Sequence, residues 1–137
     1  FIIASGARSM GKEVTMFFTF WGLNIIKDPN AAKRNKKGLD KMFSMMMPKS
    51  ASKLPISKMN MFGAGSKMIQ HVMKNKKVDA LSEMIEKADK LGVKMIACTM
   101  SMDIMAVEKE ELLPNVQFGG VGTYLGDAEN GNLNLFI

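Results

Sequence analysis

Apolar residues recur along this chain at two spacings, and the alternation between them predicts strands and helices in turn. Lys12 to Phe20 reads Lys-Glu-Val-Thr-Met-Phe-Phe-Thr-Phe, a β-branched and aromatic run expected of a strand buried on both faces. Val93 to Ala97 is a second such run, and Val116 to Phe118 and Leu133 to Ile137 are shorter ones. Between them the spacing becomes helical. Leu39, Met42, Phe43 and Met46 mark a helix over Gly38 to Met47 that Pro48 ends. Met68, Ile69, Val72 and Met73 mark another over Gly63 to Lys74, and Leu81, Met84, Ile85 and Ala88 one over Val78 to Leu91, stopped by Gly92. Thr99 to Val107 follows the second strand as a helix, and Glu108 to Leu113 adds a turn before Pro114. A last helix opens within Gly119 to Tyr124 and ends near Asn130 and Gly131. This alternation predicts a mostly parallel α/β domain in three layers.

Phe1 to Gly11 also has helical spacing but begins in mid-pattern, without a cap. A helix packed on a sheet normally follows a strand, so a first strand is expected to precede Phe1 in the whole fold. Asp28 to Lys37 is a polar turn and loop, and Lys49 to Met59, with Pro55, reads as an exposed connection. Residues 28–62 thus read as a basic, Met-rich insertion in a single domain spanning residues 1–137.

Composition narrows the function. The chain has 137 residues, 47% of them hydrophobic, a net charge of +6, one cysteine and one histidine. A lone cysteine forms no internal disulfide, no CxxC pair and no Cys-rich zinc site. A reducing, cytoplasmic setting is therefore the default, and no secretory leader is visible. The longest apolar run, Val14 to Ile26, is too short to span a bilayer. Charge is unevenly spread: Lys27 to Lys77 holds 13 Lys or Arg against Asp28 and Asp40, whereas from Val78 onward 4 basic residues face 10 acidic ones. Such opposition suits a solvated surface, an acidic partner, or copies that dock basic face to acidic face. Phe43 and Phe62 are widely spaced and no recognised binding motif accompanies the charge, which argues against nucleic acid. The fifteen methionines are mostly explained as flexible core filler, with a thioether copper site the minor alternative.

Cys98 is the chain's candidate reactive atom. With Val93 to Ala97 a strand and Thr99 the start of a helix, the sulfur would lie near unpaired backbone N–H groups, which favour a thiolate. The competing reading is a small apolar residue packed in the core. Thr99 and Ser101 would cap that helix or hydrogen-bond a persulfide, with capping the plainer role. Gly119, Gly120 and Gly122 would allow close packing of helix on sheet, or approach of an anion to backbone N–H groups. His71 reads as a surface or boundary residue in preference to a catalytic one, Trp21 as core in preference to a pocket wall. Glu83, Glu86, Asp89, Glu108, Glu110 and Glu111 are expected on solvated helix faces.

Lys94 to Met105 (Lys-Met-Ile-Ala-Cys-Thr-Met-Ser-Met-Asp-Ile-Met), with Phe17-Phe18-Thr19-Phe20-Trp21-Gly22-Leu23 and Phe118-Gly119-Gly120-Val121-Gly122-Thr123-Tyr124, resembles the DsrE/DsrF-like family, in its DsrE-like, peroxiredoxin-like subgroup. The resemblance implies a Rossmann-like α/β fold of about five strands, with the first preceding Phe1, assembled as trimers or hexamers. It implies a sulfur relay or sulfurtransferase that carries sulfane sulfur as a persulfide between partner proteins. The family's active cysteine follows a strand beginning Gly-Val, which is the place of Cys98 after Gly92-Val93. Ala106 departs from the glycine expected in that stretch, and the Lys33 to Met61 insertion marks the subgroup. Persulfide exchange with donor and acceptor proteins needs no metal, no cofactor and no second internal cysteine, so it suits this chain better than a peroxidase cycle. The alternative is a non-catalytic oligomeric binding or assembly module with a packed cysteine and a basic partner-binding insertion. A small-ligand binder using the Gly119 to Thr123 turn is a third.

Overall fold

The structure, a computed structural model, describes residues 1–31, 36–54 and 64–135. Three strands, β1 (Thr15–Phe18), β2 (Lys94–Cys98) and β3 (Gln117–Gly119), form one parallel sheet in that order. Thr15 to Phe18 stand in register with Lys94 to Ala97, and Ile96 to Cys98 with Gln117 to Gly119. Parallel neighbours require crossovers, and these carry helices: α2 (Gly38–Met46), α3 (Ala64–Asn75) and α4 (Leu81–Lys90) between β1 and β2, and α5 (Thr99–Ile104) between β2 and β3. α1 (Ile2–Ser9) precedes the sheet and α6 (Val121–Glu129) follows it. The architecture is mixed α/β with a parallel sheet, as the alternating pattern predicts and consistent with a Rossmann-like fold. Among the described residues the strands number three.

Side chains alternate across a strand, so β2 sends Met95 and Ala97 to one face and Lys94, Ile96 and Cys98 to the other. The first face carries the main core: Met95 and Ala97 pack with Phe18, Leu23, Ile26, Ile85, Met102 and Met105. The acidic start of α4 is anchored by the Glu83 carboxylate, which accepts the Ala80 N–H at 2.7 Å. At its other end the Arg8 Nε of α1 donates to Leu91 O at 2.7 Å. These two contacts fix the helix whose Ile85 and Ala88 are buried.

Several expectations are corrected. β1 is short because Phe20 adopts φ +40, turning the chain into a 3₁₀ helix over Phe20–Ile26. That turn buries Leu23 and Ile26 and leaves Trp21 58% exposed, so Trp21 is not core. Leu133 to Leu135 form no strand, and the rest of that predicted strand lies outside the described residues. Instead the Asn134 side-chain amide donates to Ala128 O at 3.1 Å, folding the chain back on the carbonyl end of α6. The connection after Pro48 is not wholly exposed: Ser50 is buried, and a 3₁₀ turn at Ala51–Lys53 packs on α4. Its continuation through residues 55–63 lies outside the described residues.

Candidate functional site

Cys98 is the last residue of β2 and the N-cap of α5 (φ −71°, ψ 115°), where its side chain makes no capping hydrogen bond. It therefore stands at the carboxyl edge of the sheet, where open α/β folds place their ligands. It is also buried, with 2% of its surface exposed. Ile96 and Cys98 are both buried yet stand apart from the main core, because they face the opposite side of the sheet.

That side carries α6. Gly119 is the register partner of Cys98, and a Cβ added there would lie 2.9 Å from Thr123 Oγ1 and 3.1 Å from Ile96 Cγ2. The Thr123 side chain thus stands directly over the position beside Cys98, which is the close packing expected of this glycine. The next residue, Tyr124, meets Phe17 with ring centroids 5.4 Å apart. Near the end of the helix the Asp127 carboxylate accepts hydrogen bonds from Lys94 Nζ at 3.0 Å and Thr15 Oγ1 at 3.1 Å. The lysine first and the threonine second hold the Asp127 carboxyl below its ordinary range.

Around the edge, each strand is followed within three residues by an exposed apolar side chain: Trp21 after β1, Met100 after β2 and Val121 after β3. Thr99 Oγ1 points across to Gly119 O at 3.5 Å. Ser101 Oγ is fully buried with no hydrogen-bond partner among the described residues, as is Asn24 Oδ1. Neither Thr99 nor Ser101 caps α5, because Cys98 itself occupies the cap position and its side chain makes no capping hydrogen bond. His71 is exposed on α3. Asp103 is exposed on the outer side of α5.

A second polar cluster, absent from any local pattern, ties the insertion to the body. Lys36 Nζ donates to Ala106 O and pairs with the Glu111 carboxylate, with the two side chains 7% and 17% exposed. Glu111 is therefore not on a solvated face. Nearby Lys27 bridges to Leu112 and reaches Pro48 O at 3.5 Å. Burial pushes its amine below the ordinary lysine range, Glu111 opposes this, and Lys36 adds to it. Part of the chain's charge asymmetry is thus answered within one copy. Only long-range contacts create this cluster, so nothing in the sequence spacing marks it.

No group of three or more His, Cys, Asp or Glu among the described residues could hold a metal ion. No helix among them is long and apolar enough to cross a membrane.

A sequence profile of the DsrE/DsrF/DrsH-like family matches residues 1–136. The chain is 47% identical to Uncharacterized protein YrkE of Bacillus subtilis (strain 168) over 137 residues, covering all of this chain and 86% of that protein. It is 33% identical over 138 residues to Sulfur carrier protein DsrE2 of Allochromatium vinosum, covering all of this chain and 87% of that protein. The chain belongs to the DsrE/DsrF/DrsH-like family.

Proposed function

We propose that this member of the DsrE/DsrF/DrsH-like family is a sulfur carrier, and that it holds sulfane sulfur as a persulfide on Cys98. The observation that carries the proposal is the position of the chain's one cysteine, at the carboxyl end of the central strand and the cap of the following helix. The likeness to a protein called a sulfur carrier supports it. In loading, the Cys98 thiolate attacks the outer sulfur of a donor persulfide. A new S–S bond forms on Cys98 as the donor's S–S bond breaks, and the donor leaves as a thiolate. In delivery, the acceptor's thiolate attacks the outer sulfur and Cys98 is released as a thiolate. Each step exchanges one S–S bond for another, so no net oxidant or reductant is consumed. Trp21, Met100 and Val121, exposed around the edge, offer donor and acceptor proteins, or further copies of the chain, an apolar docking rim.

Incubation with a small persulfide donor followed by intact mass measurement tests this. A gain of one sulfur that disappears in Cys98→Ser is expected. No gain, or a gain that survives the substitution, overturns the proposal.

The 2% exposure of Cys98 favours a second reading, in which the cysteine is only packed and the chain is a binding or assembly module. Iodoacetamide at near-neutral pH separates the two. A thiol inert in the native protein supports the packed residue, and rapid native labelling, faster than global unfolding allows, supports an accessible, activated thiolate.

A further inference from the structure

We propose that α6 is a lid over Cys98, hinged at Gly120 and latched by Asp127 to Lys94 and Thr15, whose opening admits the sulfur donor and acceptor. The purpose of such opening rests on the sulfur-carrier reading; its geometry does not.

Alternation along β2 and the register with β1 and β3 put Cys98 on the face shared by Thr15, Phe17, Lys94, Ile96 and Gly119. α6 touches that face at three places down its length: Thr123 over Gly119, Tyr124 on Phe17, and Asp127 on Lys94 and Thr15. The first of these lies over Gly119, the register neighbour of Cys98, so displacing α6 opens the sheet face on which the buried sulfur lies. The hold is light. No residue of α6 is buried, and Val121 and Leu125 are 57% and 58% exposed. The latch pair is itself open to solvent, at 37% for Lys94 and 33% for Asp127, and such pairs contribute little. By contrast, the opposite face of β2 is locked into the main core. The joint suits a hinge: Gly120 alone connects β3 to α6, and a Cβ there would meet nothing within 4 Å. A helix with exposed apolar residues, few contacts and a glycine joint belongs to the low-stability end of a fold.

Iodoacetamide labelling rates of Cys98 in the native protein test the lid without reference to sulfur chemistry. Asp127→Ala is expected to speed labelling roughly two- to fivefold, and Tyr124→Ala about three- to tenfold. The charge swap Lys94→Asp with Asp127→Lys is expected to return the rate to within about twofold of wild type. Ile85→Val, in the core on the other side of the sheet, serves as a control: it lowers the melting temperature but leaves labelling at the wild-type rate. Wild-type rates in both α6 variants overturn the lid, as does equal acceleration by Ile85→Val, which would mean access through global unfolding. Sulfur loading by mass on the same proteins reads the carrier proposal separately: α6-dependent labelling without loading keeps the lid and rejects the carrier.

Discussion

Gly119 is where the close approach of α6 to the sheet can be measured by a single methyl group. In Gly119→Ala the new Cβ would lie 2.9 Å from Thr123 Oγ1, 3.0 Å from Thr123 Cβ and 3.1 Å from Ile96 Cγ2. All three distances are shorter than ordinary van der Waals contact, and Ile96 cannot retreat because it is 1% exposed. The helix has to yield instead. Overpacking of this kind costs about 1–3 kcal/mol, which for a chain of this length lowers the melting temperature by roughly 3–12 °C. Because the yielding element is α6, Gly119→Ala is also expected to label Cys98 faster than wild type. Two companions isolate the cause. Gly120→Ala adds its methyl to open space and is expected to cost under about 1 kcal/mol. Thr123→Ala in the Gly119→Ala background removes the nearest clash and is expected to recover part of the loss. Thermal melts by circular dichroism, paired with iodoacetamide rates, read both effects. A Gly119→Ala protein that melts and labels like wild type, or a Gly120→Ala protein that loses as much, would refute the packing argument.

Three further predictions concern the second cluster and the turn beside it. Lys36→Met leaves the largely buried Glu111 carboxylate without its ion-pair partner and is expected to destabilise by about 2–4 kcal/mol in urea titrations, with Glu111→Gln in the same chain restoring most of the loss. Ala106 sits at φ +50°, a conformation that glycine adopts freely and alanine does not, so Ala106→Gly should stabilise by up to about 1 kcal/mol, measured as a raised urea midpoint. The Lys27 amine titrates below the ordinary lysine range in the folded chain, chiefly through burial. The unfolded chain then binds more protons across the window between the lowered and the ordinary pKa, so stability from this group rises as pH climbs through that window; urea midpoints of wild type relative to Lys27→Met should rise from neutral pH towards the lysine range, and a flat difference would contradict this.

Local pattern was enough to find the elements that build the edge. A β-branched and apolar run ending at Cys98, followed by helical spacing, specifies β2 and α5 because both periods are short-range properties of the backbone. The same holds for α4, whose first-turn glutamate and apolar stripe announce it, and for Gly119, whose place before a helix implies close packing. What escaped the sequence depends on pairings between distant residues or on a single dihedral. Lys36 and Glu111 lie on different elements, as do Lys94 and Asp127, and no periodicity links either pair. Trp21 turned outward because Phe20 adopts a positive φ, which an aromatic residue rarely signals. Leu133 and Leu135 had the alternation of a strand, but the Asn134 contact to the end of α6 took that segment elsewhere.

The burial of Cys98 bears on the chemistry as well as on access. A persulfide carrier has to keep its thiolate from peroxide and other small oxidants between deliveries, since oxidation past the sulfenic state is irreversible for most cysteines. With no second cysteine in the sequence to trap a sulfenic acid as an internal disulfide, exclusion is the protection the chain itself can supply. A sulfur open to solvent at all times would be both reactive and unprotected, whereas under the lid proposal the buried Cys98 meets solvent only while α6 is displaced. On this reasoning Asp127→Ala should lose its thiol to hydrogen peroxide faster than wild type, by the same factor that it gains in iodoacetamide labelling. Equal factors for the two reagents would mean that one opening motion governs both, and a large mismatch would place the route to the sulfur somewhere other than beneath α6.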